Sequence, residues 1–166
     1  MHVEKFGVAT TSLRAVSYNH TIYAVECFID ELLQAIGQDP VEGRLALMGK
    51  SPRLATVLRT VAEMAKWAGP APVNGRGREV AVAVAFGTYV AEIAEVSIGE
   101  NGEPQVHKVW CAVDCGIAVN PDIIRAQMEG AIGYGLGVIL FGQITLNEGR
   151  PDQHNFNDYR TSIALE

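Results

Sequence analysis

The chain has 166 residues, 48% of them hydrophobic and 19% charged. That suffices for one globular domain with a core of its own and is too apolar for a disordered segment. A formal net charge of −6 argues against nucleic acid as a partner, because such binding relies on Lys and Arg neutralising phosphates.

Met1 to Thr11 lacks the basic leader and long apolar core of a signal peptide. No run reaches the roughly 20 apolar residues of a membrane span. A cytoplasmic location is therefore expected, with the periplasm open to a longer parent protein. Of the three cysteines, Cys27, Cys111 and Cys115, no two form a Cys-x-x-Cys pair. On one strand Cys111 and Cys115 would stand ~13 Å apart at about 3.3 Å per residue, beyond the roughly 7 Å that a disulfide spans. Free, mostly buried thiols are expected.

The fold class expected is α+β: N-terminal helices, then a mostly antiparallel sheet with a glycine-rich helix packed on it. Residues 1–69 form the helical segment and 79–166 the strand-rich segment, together one compact domain of a larger subunit. Asn19 is placed as the cap of the first helix. Ile22, Val25, Ile29, Leu32, Leu33 and Ile36 follow at helical spacing, Gly37 closes the run, and Glu26, Asp30, Glu31 and Gln34 take the opposite, solvated face. Asp39-Pro40 opens a second helix to Met48. Ser51-Pro52 opens a third by the same logic, with Leu54, Val57, Leu58, Val61 and Ala65 as its apolar stripe.

Gly69 to Arg78 is a Pro/Gly-rich connector. Strands are expected over 79–86, 89–98 and 105–115, with Asn101-Gly102 as a turn in which both central residues take positive φ. Asn120-Pro121 opens a helix to Phe141 that carries Gly130, Gly133, Gly135 and Gly137. Glycine costs about 1 kcal/mol per interior helix position relative to alanine. A sequence accepts that where a backbone must be approached closely. Gln143 to Asn147 and Gln153 to Tyr159 are read as a last hairpin around Asn147-Glu148-Gly149-Arg150.

Several local patterns carry no chemistry. Gly49-Lys50-Ser51 resembles the end of a phosphate loop, but Arg44 stands where the first glycine should be and a helix precedes it. The glycines of 130–137 never satisfy G-x-G-x-x-G. His2, His20, His107 and His154 lack ligand spacing. Cys115, before Gly116, reads as a small buried thiol.

Taken in order, Phe28-Ile29-Asp30-Glu31-Leu32, Asp39-Pro40-Val41-Glu42 with Arg44, Glu95-Val96-Ser97, Val113-Asp114-Cys115-Gly116, Gln127-Met128-Glu129-Gly130 and Asn155-Phe156-Asn157-Asp158-Tyr159 resemble the molybdenum-binding subunit of the xanthine dehydrogenase and aldehyde oxidase family. Within that family the chain looks most like the isoquinoline 1-oxidoreductase and aldehyde dehydrogenase branch. The resemblance implies two cofactor-binding residues, Arg14 and Gln127, and no catalytic or metal-ligating residue in this stretch. Gln127 would hydrogen-bond the molybdopterin cofactor, its amide offering donors and an acceptor to pterin and phosphate groups. Arg14 would stabilise anionic oxo and phosphate groups near the molybdenum. Ala15 departs from the glycine usual after that arginine in the xanthine dehydrogenase branch. Gly43 stands where a bulky residue is common, which is expected to loosen its helix.

The family's Gly-Gln-Gly cofactor loop and its glycine- and phenylalanine-containing loop belong upstream, and its glutamate base belongs downstream in a Gly-Val-Gly-Glu-like stretch. None of these is among the 166 residues. The expectation is a piece of an oxidoreductase subunit, inactive alone and holding no cofactor alone. Leu165-Glu166 reads as the scar of a cloned segment. The intact subunit would carry molybdopterin cytosine dinucleotide–molybdenum. It would hydroxylate N-heterocycles or oxidise aldehydes with oxygen from water, and pass electrons to an iron–sulfur (α) subunit. Partners expected for the piece are the rest of its own subunit and a second copy of itself, through bare valine-rich strands near 79–98. The alternative is a stand-alone, non-catalytic remnant that self-associates and binds no cofactor.

Overall fold

The computed structural model describes residues 14–70, 74–155 and 157–159. Three helices, α1 (Tyr18–Ala35), α2 (Pro40–Leu47) and α3 (Pro52–Ala65), precede three strands, β1 (Gly77–Ala85), β2 (Thr88–Ile98) and β3 (Pro104–Asp114). Helix α4 (Pro121–Phe141) and a hairpin of two-residue strands, β4 (Leu146–Asn147) with β5 (Arg150–Pro151), follow among the described residues. The fold is α+β, with an antiparallel sheet in the order β1-β2-β3. It divides into two compact units, Met1–Ser97 with Gln105–Cys115, and Ile98–Pro104 with Gly116–Glu166.

In the first unit α1, α2 and α3 all contact β1. The core is built from one face of the sheet and the inner faces of the helices: Val80, Val82, Ala91, Ile93 and Ala112 meet Val41, Val57, Leu58 and Val61. Strand periodicity places Val80 and Val82 on one face, opposite Ile93 and Ala91 in the antiparallel register. The valine-rich strands are therefore not bare, although Val84 and Phe86 beyond them stay exposed.

Local signals explain most element ends. Asp39 caps α2 by accepting from the Val41 and Glu42 amides at 2.8 and 3.1 Å, and also accepts the Trp67 indole N–H. Gly37, at φ +66, closes α1 as its amide reaches Gln34 O and the Gln38 amide reaches Leu33 O, a Schellman motif. Two expected caps differ. Asn19 lies inside α1, which starts behind Ser17, and Ser51 makes no side-chain cap bond. Proline at the first turn of α3 presets φ without that help.

The turn between β1 and β2 is Phe86-Gly87, with φ +50 and +81. This is the two-residue left-handed geometry that matches strand twist. Phenylalanine is a poor candidate for it on sterics, and its ring is held against Tyr18 at 5.3 Å. The Asn101-Gly102 turn has another form. Only Gly102 is left-handed, and the bonds Gly102 N to Gly99 O and Gly99 N to Glu103 O make a longer loop. In the final hairpin Glu148 and Gly149 occupy the turn as expected. The second strand, however, is Arg150–Pro151, not a segment beginning at Gln153.

Gly43 corrects a further expectation. A Cβ there would overlap Leu33 Cδ2 and fall 2.8 Å from Leu33 Cδ1. The glycine does not loosen α2; it lets α1 and α2 approach.

Candidate functional site

Arg14 lies in the turn leading into α1 and is exposed. The two residues after it are left-handed, Ala15 at φ +68 and Val16 at φ +51, and the turn closes by Tyr18 N to Ala15 O at 3.0 Å. Such a backbone costs about 1–2 kcal/mol per non-glycine residue. A β-branched residue there is an outlier of the kind that marks functional sites. Glycine would sit at position 15 without strain, which gives the departure at Ala15 a physical cost.

Gln127 stands on α4, two turns beyond the Asn120 side chain that caps the helix by accepting from the Asp122 and Ile123 amides at 3.1 and 3.2 Å. Its side chain is exposed, and among the described residues nothing hydrogen-bonds its amide. A Cβ placed on Gly130, Gly133 or Gly135 would meet nothing within 4 Å. The close approach expected at these glycines is therefore not made by another described part of this chain. Of the described residues of α4 only Gly137 is buried, although the helix is apolar nearly all round. Arg14 belongs to the first unit and Gln127 to the second.

The acidic residues take places that their local pattern did not suggest. Glu26, expected on a solvated face, is buried. Its carboxylate holds Arg44 Nε at 3.0 Å and accepts the Val82 amide at 2.9 Å, while Asp30 holds Arg44 Nη1 at 2.6 Å. Burial opposes the charge on Arg44, but the bond to Asp30 and the charges of Glu26 and Asp30 outweigh it and raise the guanidinium above its ordinary range. Arg53 grips Asp114 with two bonds of 2.7 Å and lies over the Tyr89 ring at 4.3 Å. Arg76 and Arg78 both bind Glu95 and hold its carboxyl below the usual range.

Cysteines correct the sequence reading as well. All three are free, but Cys27 and Cys115 are exposed. Cys111 is half-buried opposite Glu92. Burial, then the Glu92 charge, push its thiol up to about 12, and burial raises Glu92 in turn. No group of three potential metal ligands occurs among the described residues, and His107 is engaged with the Ser97 hydroxyl at 2.7 Å. A groove of about 570 Å³ in the first unit is lined by Asp30, Gln34, Asp39 and Glu79 among others. Its acidic wall suits no phosphate. No helix among the described residues is long and apolar enough to cross a membrane.

Residues 42–165 match the family model for a molybdopterin cofactor-binding domain, so the match takes in Gln127 and the whole glycine-rich helix. The chain belongs to this family. It is 38% identical over 152 residues to the beta subunit of isoquinoline 1-oxidoreductase from Brevundimonas diminuta, covering 89% of this chain and 19% of that protein. It is 31% identical to the membrane-bound aldehyde dehydrogenase [pyrroloquinoline-quinone] of Gluconacetobacter polyoxogenes, covering 89% of this chain and 22% of that one. To the B subunit of nicotinate dehydrogenase from Pseudomonas putida it is 30% identical, with 92% and 14% covered. No solved structure matches. The chain thus spans between 14% and 22% of the length of these relatives. The family is that of the molybdenum-binding subunits of the xanthine dehydrogenase and aldehyde oxidase type.

The Glu26–Arg44 pair could have been suspected only from the match of Asp39-Pro40-Val41-Glu42 with Arg44, since nothing in the helical pattern of α1 separates Glu26 from the exposed Glu31.

Proposed function

We propose that this chain is a cofactor-supporting part of the catalytic subunit of a molybdenum hydroxylase, acting on N-heterocycles or aldehydes with water as the oxygen source. The cofactor is molybdopterin cytosine dinucleotide–molybdenum, and electrons leave to an iron–sulfur subunit. When bound, this group supplies two-electron oxidation of an electron-poor carbon. The relatives' own names support the substrate classes: isoquinoline, an aldehyde, nicotinate.

The Gln127 amide carries this reading. It stands exposed, without a described partner, on a helix where Gly130, Gly133 and Gly135 leave open backbone. An amide offers two N–H donors and one carbonyl acceptor, and the missing side chains let a planar heterocycle come close. These features fit a pterin edge or a phosphate. Arg14 adds a guanidinium suited to oxyanions. The catalytic base comes from residues other than these 166. Among the described residues Glu26, Asp30, Asp114 and Glu95 are paired with Arg44, Arg53, Arg76 and Arg78, and Glu92 lies against Cys111.

The test is Gln127→Ala in the polypeptide as its host makes it. Molybdenum content should fall, each lost amide bond being worth roughly 0.5–1.5 kcal/mol. Melting of the 166-residue chain should stay within about ±0.5 kcal/mol, because the side chain is exposed. Full molybdenum with a much lower melting point would make the glutamine structural and end the reading.

A further inference from the structure

Helix α1 leaves much of its apolar stripe outside the fold. Counting about 100° per residue, Ala24, Val25, Phe28, Leu32, Ala35 and Ile36 fall in one arc of roughly 120° that contains Thr21 and no charged residue. That arc faces outward: Val25 is 47% exposed, Phe28 58%, Leu32 50% and Ile36 70%. The edge facing the domain carries Leu33 and the carboxylate of Glu26 instead, the latter neutralised by Arg44. An amphipathic helix ordinarily buries its apolar stripe. Here the domain has gone to the length of burying an ion pair while a contiguous stripe three turns long is left to water. Exposed apolar patches of this kind mark surfaces that another polypeptide covers.

We propose that the outward arc of α1 is an interdomain interface, covered by polypeptide of the same subunit outside these 166 residues. This rests on the proposed function. The length of the relatives chooses that occupant over a second copy. The chain accounts for 19%, 22% and 14% of the relatives it matches, so each relative carries several times this length of further polypeptide able to reach the face. The face also carries no charge of either sign, as expected of a permanent interface, whose buried centre is depleted of charged residues.

Thiol accessibility tests it. Leu32→Cys and, separately, Ile36→Cys are introduced both into the 166-residue chain and into the polypeptide as the host makes it. Labelling by a maleimide is followed site by site, and the molybdenum content of each host preparation is measured. In the short chain both positions should label at the rate of a free thiol. In the host polypeptide both should slow by about tenfold or more, since an occluded thiol is inert. Two sites guard against a substitution that disturbs the fold. Fast labelling in a longer, molybdenum-containing host polypeptide overturns the interface and leaves the proposed function standing. Slow labelling in a longer polypeptide devoid of molybdenum keeps the interface and removes the function. A host polypeptide no longer than 166 residues overturns the proposal, and protection that then grows with protein concentration assigns the face to a second copy.

Discussion

Arg44 Nε meets Glu26 Oε2 at 3.0 Å, and the same oxygen accepts the Val82 amide at 2.9 Å, so one buried carboxylate ties α1, α2 and β1 together. Removing one member of a buried pair leaves the other uncompensated. Arg44→Met should therefore cost about 3–5 kcal/mol in urea unfolding. Glu26→Gln on top of it, which keeps an acceptor for Val82, should recover roughly 1–3 kcal/mol. Strict additivity of the two changes would show that the residues do not act as a pair.

Gly43 gives a prediction of opposite sign from helix propensity. Propensity alone makes Gly43→Ala stabilising by about 1 kcal/mol. The added methyl would run into the buried Leu33 side chain, and overpacking of this kind costs about 1–3 kcal/mol. Thermal denaturation should show a lower melting point, and Leu33→Val should offset part of the loss. A raised melting point in the single variant would refute the close approach of α1 and α2.

Thiol chemistry should separate the cysteines. With its thiol pushed up to about 12 from 9.0, Cys111 is neutral at pH 8 and should resist alkylation while exposed Cys27 and Cys115 react. The linkage has a definite sign. A folded pKa above the unfolded one means the stability contributed is fully present below pH 9 and is lost as pH rises from 9 toward 12. Cys111→Ala should lose less stability than the parent across that window, as read from melting temperature against pH. Parallel curves would show that the thiol is not held protonated by the fold.

Arg14→Lys keeps a positive charge and gives up the planar fork. In the polypeptide as the host makes it, turnover should fall while molybdenum content holds. The purified 166-residue chain should show no hydroxylase activity and little bound molybdenum. Near-stoichiometric metal in the short chain would sink the view that it supports a cofactor only as part of a larger subunit.

Signals that act over a few residues were legible in advance. Asp39-Pro40 and Asn120-Pro121 start α2 and α4 because cap and proline act on the next three amides. Glu148-Gly149 turns the last hairpin because its geometry is local. The family too was readable, since the order of short motifs survives where no single motif decides. Arg14 and Gln127 are named through that resemblance alone, because no local pattern singles them out.

Only the tertiary structure decided the rest. Glu26 and Glu31 look alike along α1, and one is buried because Arg44, 18 residues on, and the Val82 amide come to it through the fold. Phe86 takes the left-handed turn position without a local signal for it, and its exposed ring lies beside Tyr18, a residue far away in sequence. Helix periodicity fixes which residues share a face but not which way that face points. That direction is set by what packs on either side of α1, and the surrounding elements of this chain choose Glu26 and Leu33 over Phe28 and Leu32.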